Sequence, residues 1–137
     1  MVYGFTGTAQ GMTRAQKAVF VSLLPDELEF HHGDCIGADE DAHHLVRQTC
    51  LVSKIVIHPP TLEVKRAFCQ GNIILPVKDY LPRNHDIVDS VREMIATPKG
   101  FKEELRSGTW ATIRQAKRVG IRCTIIWPDG TKGFYRG

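Results

Sequence analysis

A chain of 137 residues, 42% hydrophobic and 24% charged with a formal net charge of +3, has the make-up of one globular domain large enough to bury a core without staples. No run approaches the roughly 20 apolar residues of a membrane span. The start (Met1, Val2, Tyr3, Gly4, Phe5) lacks the basic and apolar regions of a signal peptide, and Cys35, Cys50, Cys69 and Cys123 are too scattered for a disulfide framework or a zinc knot. Membrane and disulfide-scaffold classes are thereby excluded, and the expected compartment is cytoplasmic.

Residues 2–6 read as a short buried strand that runs into a glycine turn. Thr13 and Gln16 have capping-box spacing, and Ala15, Ala18, Val19, Ser22 and Leu23 give the following helix one small or apolar face. Pro25 stops it. Residues 28–31 form a second strand, which enters a second glycine turn. A helix over 39–49 follows, with Ala42, Leu45, Val46 and Thr49 expected toward the core. The β-branched run at 54–58 is a third strand, ended by Pro59 and Pro60. Residues 61–82 read mostly as loop, with a brief strand at 73–75 and room for a lid. Asn84 is expected to cap a helix reaching Val91. Residues 93–97 form a fourth strand. Ser107 or Thr109 caps a helix that buries Trp110, Ile113 and Ala116 and ends at Gly120. Residues 121–127 form the last strand, and Asp129 and Gly130 turn the tail back.

Strands alternating with helices predict an α/β domain over residues 1–137, with a mostly parallel five-stranded sheet and helices on both faces. In such a sheet all strand-to-helix turns leave the same edge. Three glycine-rich turns of this kind, at 4–13, 31–39 and 107–110, therefore predict a single crevice for a phosphate-bearing small molecule, because glycine N–H groups and helix starts attract anions. The first turn lacks a complete G-x-G-x-x-G and a P-loop ending, but Thr6, Gly7 and Thr8 offer hydroxyl and N–H donors. In the second, Gly33 and Gly37 permit close approach, and Asp34 and Asp39 are candidates for holding ribose hydroxyls or for acid–base work. Asp39 equally suits a helix start, and Asp34 a turn. Cys35 reads first as a packing residue, the alternative being a thiol of lowered pKa. Arg83 can fork onto phosphate, with Asn84 capping or touching ligand. Ser107, Gly108 and Thr109 form the third turn, and Trp110 reads as core.

His31 and His32 are adjacent and face opposite sides of a strand, and no spacing among the histidines matches a metal motif, so no metal and no cofactor are expected. Charge is uneven: seven acids and no Lys or Arg lie between Asp26 and Asp41, whereas Lys99 to Arg122 is basic. The basic segment is a solvated helix face or a surface for a second subunit, with nucleic acid as the alternative partner.

Gly7-Thr8, the stretch His32-Gly33-Asp34-Cys35-x-Gly37-Ala38-Asp39, Arg83-Asn84, and Ser107-Gly108-Thr109 with Ala116 together resemble the SLOG superfamily, in one order along nearly the whole chain. That group includes the LOG-type nucleotide phosphoribohydrolases, the DNA-processing protein A core and small YspA-like proteins. The resemblance implies a Rossmann-like fold, nucleotide-derived ligands at Thr6, Gly7, Thr8, Gly33, Asp34, Gly37, Ala38, Asp39, Arg83, Asn84, Ser107, Gly108 and Thr109, and homo-oligomers. LOG-type enzymes carry P-G-G-x-G-T-x-x-E. Here Thr112 stands at the glutamate position, and a hydroxyl supplies no carboxylate charge to an oxocarbenium ion. The expected function is nucleotide binding. The alternatives are N-glycosidic hydrolysis through Asp34 or Asp39, and nucleic-acid binding through 99–122.

Overall fold

Side-chain alternation in β1 (Val2–Gly7) sets the two faces of the molecule. In the computed structural model, which describes residues 1–135, Tyr3 and Phe5 point into one buried cluster and Gly4 packs toward Met94, Val91 and Ile87 of the other. Phe20 packs edge-on against Phe5 and Phe30 in the first cluster, which also takes α1 (Arg14–Ser22) and α2 (Ala38–Thr49). The second cluster is formed by α3 (Tyr80–Ser90), α4 (Gly108–Val119) and the opposite sheet face. Helices thus cover both faces.

The strands are β2 (Glu27–His32), β3 (Val52–Ile57), β4 (Ile73–Ile74), β5 (Glu93–Thr97), β6 (Arg122–Ile126) and β7 (Lys132–Tyr135), in the order β4-β3-β2-β1-β5-β6-β7. Every pairing is parallel except β6–β7. The sheet is therefore mixed and seven-stranded, not five-stranded. The two additions are the edges: β4 is only two residues long, and β7 returns from the Asp129–Gly130 turn as a hairpin. The chain builds outward from β1 to β4, then crosses back to lay β5 on the other side of β1. In such a topology the strand order reverses at β1/β5, which opens a crevice at the carboxyl ends of those strands.

Several local expectations are met. Thr13 and Gln16 form a reciprocal capping box, Ser107 accepts from Trp110 N, and Gly120 ends α4 in the left-handed region. Gln16 does more than cap. Its buried amide donates to the carbonyls of Pro98 and Ile126, both at 2.9 Å, and so ties α1 to the ends of β5 and β6.

Two expectations are corrected. Thr49 is exposed and His43 takes an inward position, because the buried face of α2 runs through Ala38, Ala42 and Val46. Asn84 does not cap α3. The helix begins at Tyr80 after Asp79, and Asn84 is a buried residue within it. Pro82 stands at the third helical position, where its missing N–H has no partner to lose.

Candidate functional site

The crevice at the β1/β5 reversal is a cleft of about 870 Å³. It is lined by the first turn (Thr6, Gly7, Thr8), the second (Gly33, Cys35, Ile36, Asp39), the stretch after β3 (Pro60, Thr61, Leu62, Lys65), the start of α3 (Tyr80, Arg83, Asn84) and the third turn (Arg106, Ser107, Gly108, Thr109). Ten of the thirteen residues singled out from the sequence line it. Asp34, Gly37 and Ala38 do not. Gly37 and Ala38 open α2, whose first N–H, from Ala38, donates to Thr8 O at 2.9 Å. That helix start is thus closed by the first turn.

Asp34 is fully buried behind the cleft wall and has a different task. One carboxylate oxygen accepts from Arg66 Nε at 2.9 Å and the other from Cys69 N at 2.9 Å. Its carbonyl accepts from Ala67 N at 2.8 Å. Three residues of the 66–69 stretch are thereby gathered around Asp34, and Ile36 N donates to Lys65 O to extend the attachment. The stretch carrying Leu62 and Lys65 is held as a wall by Asp34.

Asp39 lies in the cleft, in the first turn of α2, and accepts from Cys35 N at 3.1 Å. Burial pushes its carboxyl up to about 6, against the pull of the Arg83 guanidinium. Cys35 sits 3.7 Å from both terminal nitrogens of Arg83, yet its thiol is pushed up to about 11 by burial and by Asp39. The low-pKa reading of Cys35 is therefore overturned: the carboxylates and burial outweigh the cation.

Arg83 is 4% exposed and donates from Nη1 to Gly33 O at 2.9 Å. Its Nε, and the Nδ2 of the equally buried Asn84, have no hydrogen-bond partner among the described residues. Buried donors left unpaired cost about 1–3 kcal/mol each, and both residues line the cleft.

The glycines answer a steric need of the protein itself. A Cβ on Gly33 would run into the Arg83 guanidinium, and a Cβ on Gly108 into the Tyr80 hydroxyl. Tyr80 and Arg83 leave the first turn of α3 and lie against the second and third turns, and the Arg83 guanidinium carbon stands 5.0 Å from the Tyr80 ring centroid. Sequence reading missed Tyr80, because it lies within residues 61–82, which read mostly as loop, whereas it opens α3 with Pro82 in the first turn. Ile36, Leu62, Lys65 and Arg106 also line the cleft, and no local pattern marks them. Thr112 lines it too, but its hydroxyl donates back to Gly108 O at 3.0 Å.

The histidines form two buried pairs, one on each sheet face. His31 Nδ1 lies 2.8 Å from His58 Nε2 while His31 Nε2 meets Glu29. His32 accepts from Asp34 N through Nδ1, so as a neutral ring it donates from Nε2 to His43 Nδ1 at 3.0 Å. Among the described residues no group of three or more His, Cys, Asp or Glu is placed to hold a metal ion, and no helix is long and apolar enough to cross a membrane. In the basic segment, Lys99 pairs with Glu104 and Arg114 with Glu103.

Comparison with protein-family models, curated proteins and solved structures gives no match to this chain.

Proposed function

We propose that the cleft binds a nucleotide or a nucleotide-derived molecule, as the resemblance to the Rossmann-like SLOG superfamily implies. The observation that carries this reading is the meeting of three glycine-rich turns with Arg83 and Asn84 in one cleft. The first N–H groups of α4 and the hydroxyls of Ser107 and Thr109 supply an anion's donors. Arg83 supplies counter-charge, with the open cations Lys65 and Arg106 at the rim. Asp39 is the acceptor suited to ribose hydroxyls. Thermal denaturation with AMP, ADP, NAD and ADP-ribose tests this. At least one should raise the melting temperature, and Arg83→Met should remove the rise. If none does so at millimolar concentration on folded protein, the reading fails.

One observation favours a second reading, N-glycosidic hydrolysis. Asp39 is a buried cleft carboxyl poised near 6, in the range where a group both gives and takes protons. Release of free base from any of these compounds, stopped by Asp39→Asn, would establish it. Absence of turnover alongside binding would leave the binding reading alone.

A further inference from the structure

Resting on the nucleotide reading, we infer that the ligand's planar base stacks on the ring of Tyr80, in a subsite shared with Ile36 and Leu62. These three side chains line one cleft and are left open to water, at 50%, 42% and 62% exposure. They are neighbours by construction. Ile36 N donates to Lys65 O at 2.9 Å, and Lys65 N to Leu62 O at 3.1 Å. Thr61 Oγ1 lies 3.2 Å from Asp79 Oδ1, which brings the residue before Leu62 to the residue before Tyr80.

The Tyr80 ring is held in advance. Its hydroxyl end rests on Gly108 and Arg83 stands by the ring, and half of its surface is left to water. An aromatic face already ordered and open is what a base needs, since every base offers a π-face and stacking requires no particular hydrogen-bond pattern. The position fits the anion as well. A base on this face has its sugar and phosphate directed along the phenol toward Gly108, where α4 begins. Ile36 and Leu62 supply the apolar surround, and Lys65 the edge.

The test compares AMP with ribose 5-phosphate by calorimetry on the wild-type chain, Tyr80→Leu and Tyr80→Phe. The wild type should bind AMP more tightly than ribose 5-phosphate. Tyr80→Leu should cut that preference about tenfold with ribose 5-phosphate affinity unchanged, and Tyr80→Phe should keep it. An unchanged preference in Tyr80→Leu overturns the inference while the nucleotide reading stands. So does tighter binding of both compounds by Tyr80→Leu, which would make the ring a plug. A wild type that binds the two equally overturns the inference and leaves an anion site. A wild type that binds neither compound nor any nucleotide overturns both readings. Matching melting temperatures of the two variants secure the comparison.

Discussion

Two glycines of the cleft separate by what stands against them. Gly33 faces Arg83, which is buried and committed to the Gly33 carbonyl. Gly108 meets only the hydroxyl end of Tyr80, at the half-exposed rim of the cleft, where a small displacement of the side chain meets water and not packed protein. Gly33→Ala should therefore cost about 1–3 kcal/mol, the usual penalty for overpacking, and Gly108→Ala clearly less. Urea midpoints of the two variants measure the difference, and equal losses would contradict this account of the turn. Capping divides in the same way. Ser107→Ala removes the acceptor of Trp110 N and should cost about 1 kcal/mol. Asn84→Ala removes no cap, and its unpaired Nδ2 leaves little to lose, so its midpoint should hardly move.

At the scale of elements, the wall of the cleft depends on Asp34. Asp34→Ala leaves Arg66 and the Cys69 amide without their acceptors and should destabilise by about 3 kcal/mol. Hydrogen exchange should accelerate first across residues 62–69. Uniform acceleration across the sheet would mean that Asp34 is no anchor. Elements that carry their own signal were legible: the strands at 2–6, 54–58 and 93–97, the Thr13 box and the Ser107 cap each rest on residues a few positions apart. What was not legible depends on distant partners. Asp34 looked like a ligand-binding turn residue, and only Arg66 and Cys69, more than thirty positions on, reveal its task. β4 was legible as a brief strand at 73–75, but its place as a sheet edge depends on pairing to Val56 and Ile57. The meeting of three turns was foreseeable, because parallel topology fixes the edge from which they leave. That their glycines make room for Tyr80 and Arg83 was not, because that requires the path of α3.

Across the whole molecule, two sets of buried groups titrate in opposition. Burial lowers His43 and His58 to about 4 and His32 well below its ordinary value. Each binds protons more readily unfolded, so its share of stability is present above about 6.5 and is lost as pH falls toward 4. Asp39 runs the other way. Its carboxyl is raised from 3.8 to about 6, so its contribution is present below about 4 and is lost as pH rises through 6, by at most about 3 kcal/mol. The wild-type protein should lose stability on acidification from pH 7 to 4.5, since three histidines oppose one carboxyl. Asp39→Asn should steepen that loss, because it removes the one group that gains, and His43→Gln should flatten it. Melting temperatures taken across the range would show either slope, and an Asp39→Asn curve parallel to the wild type would refute the assignment.

The amide of Gln16 donates to carbonyls 82 and 110 positions further along the chain. A helix made early in this domain thus receives two of its bonds only from segments made late in it. On a ribosome the two bonds of Gln16 must wait until the sixth strand has emerged. Long-range closure of this kind slows folding, and a nascent chain halted before residue 126 should leave α1 more open to protease than the full chain does.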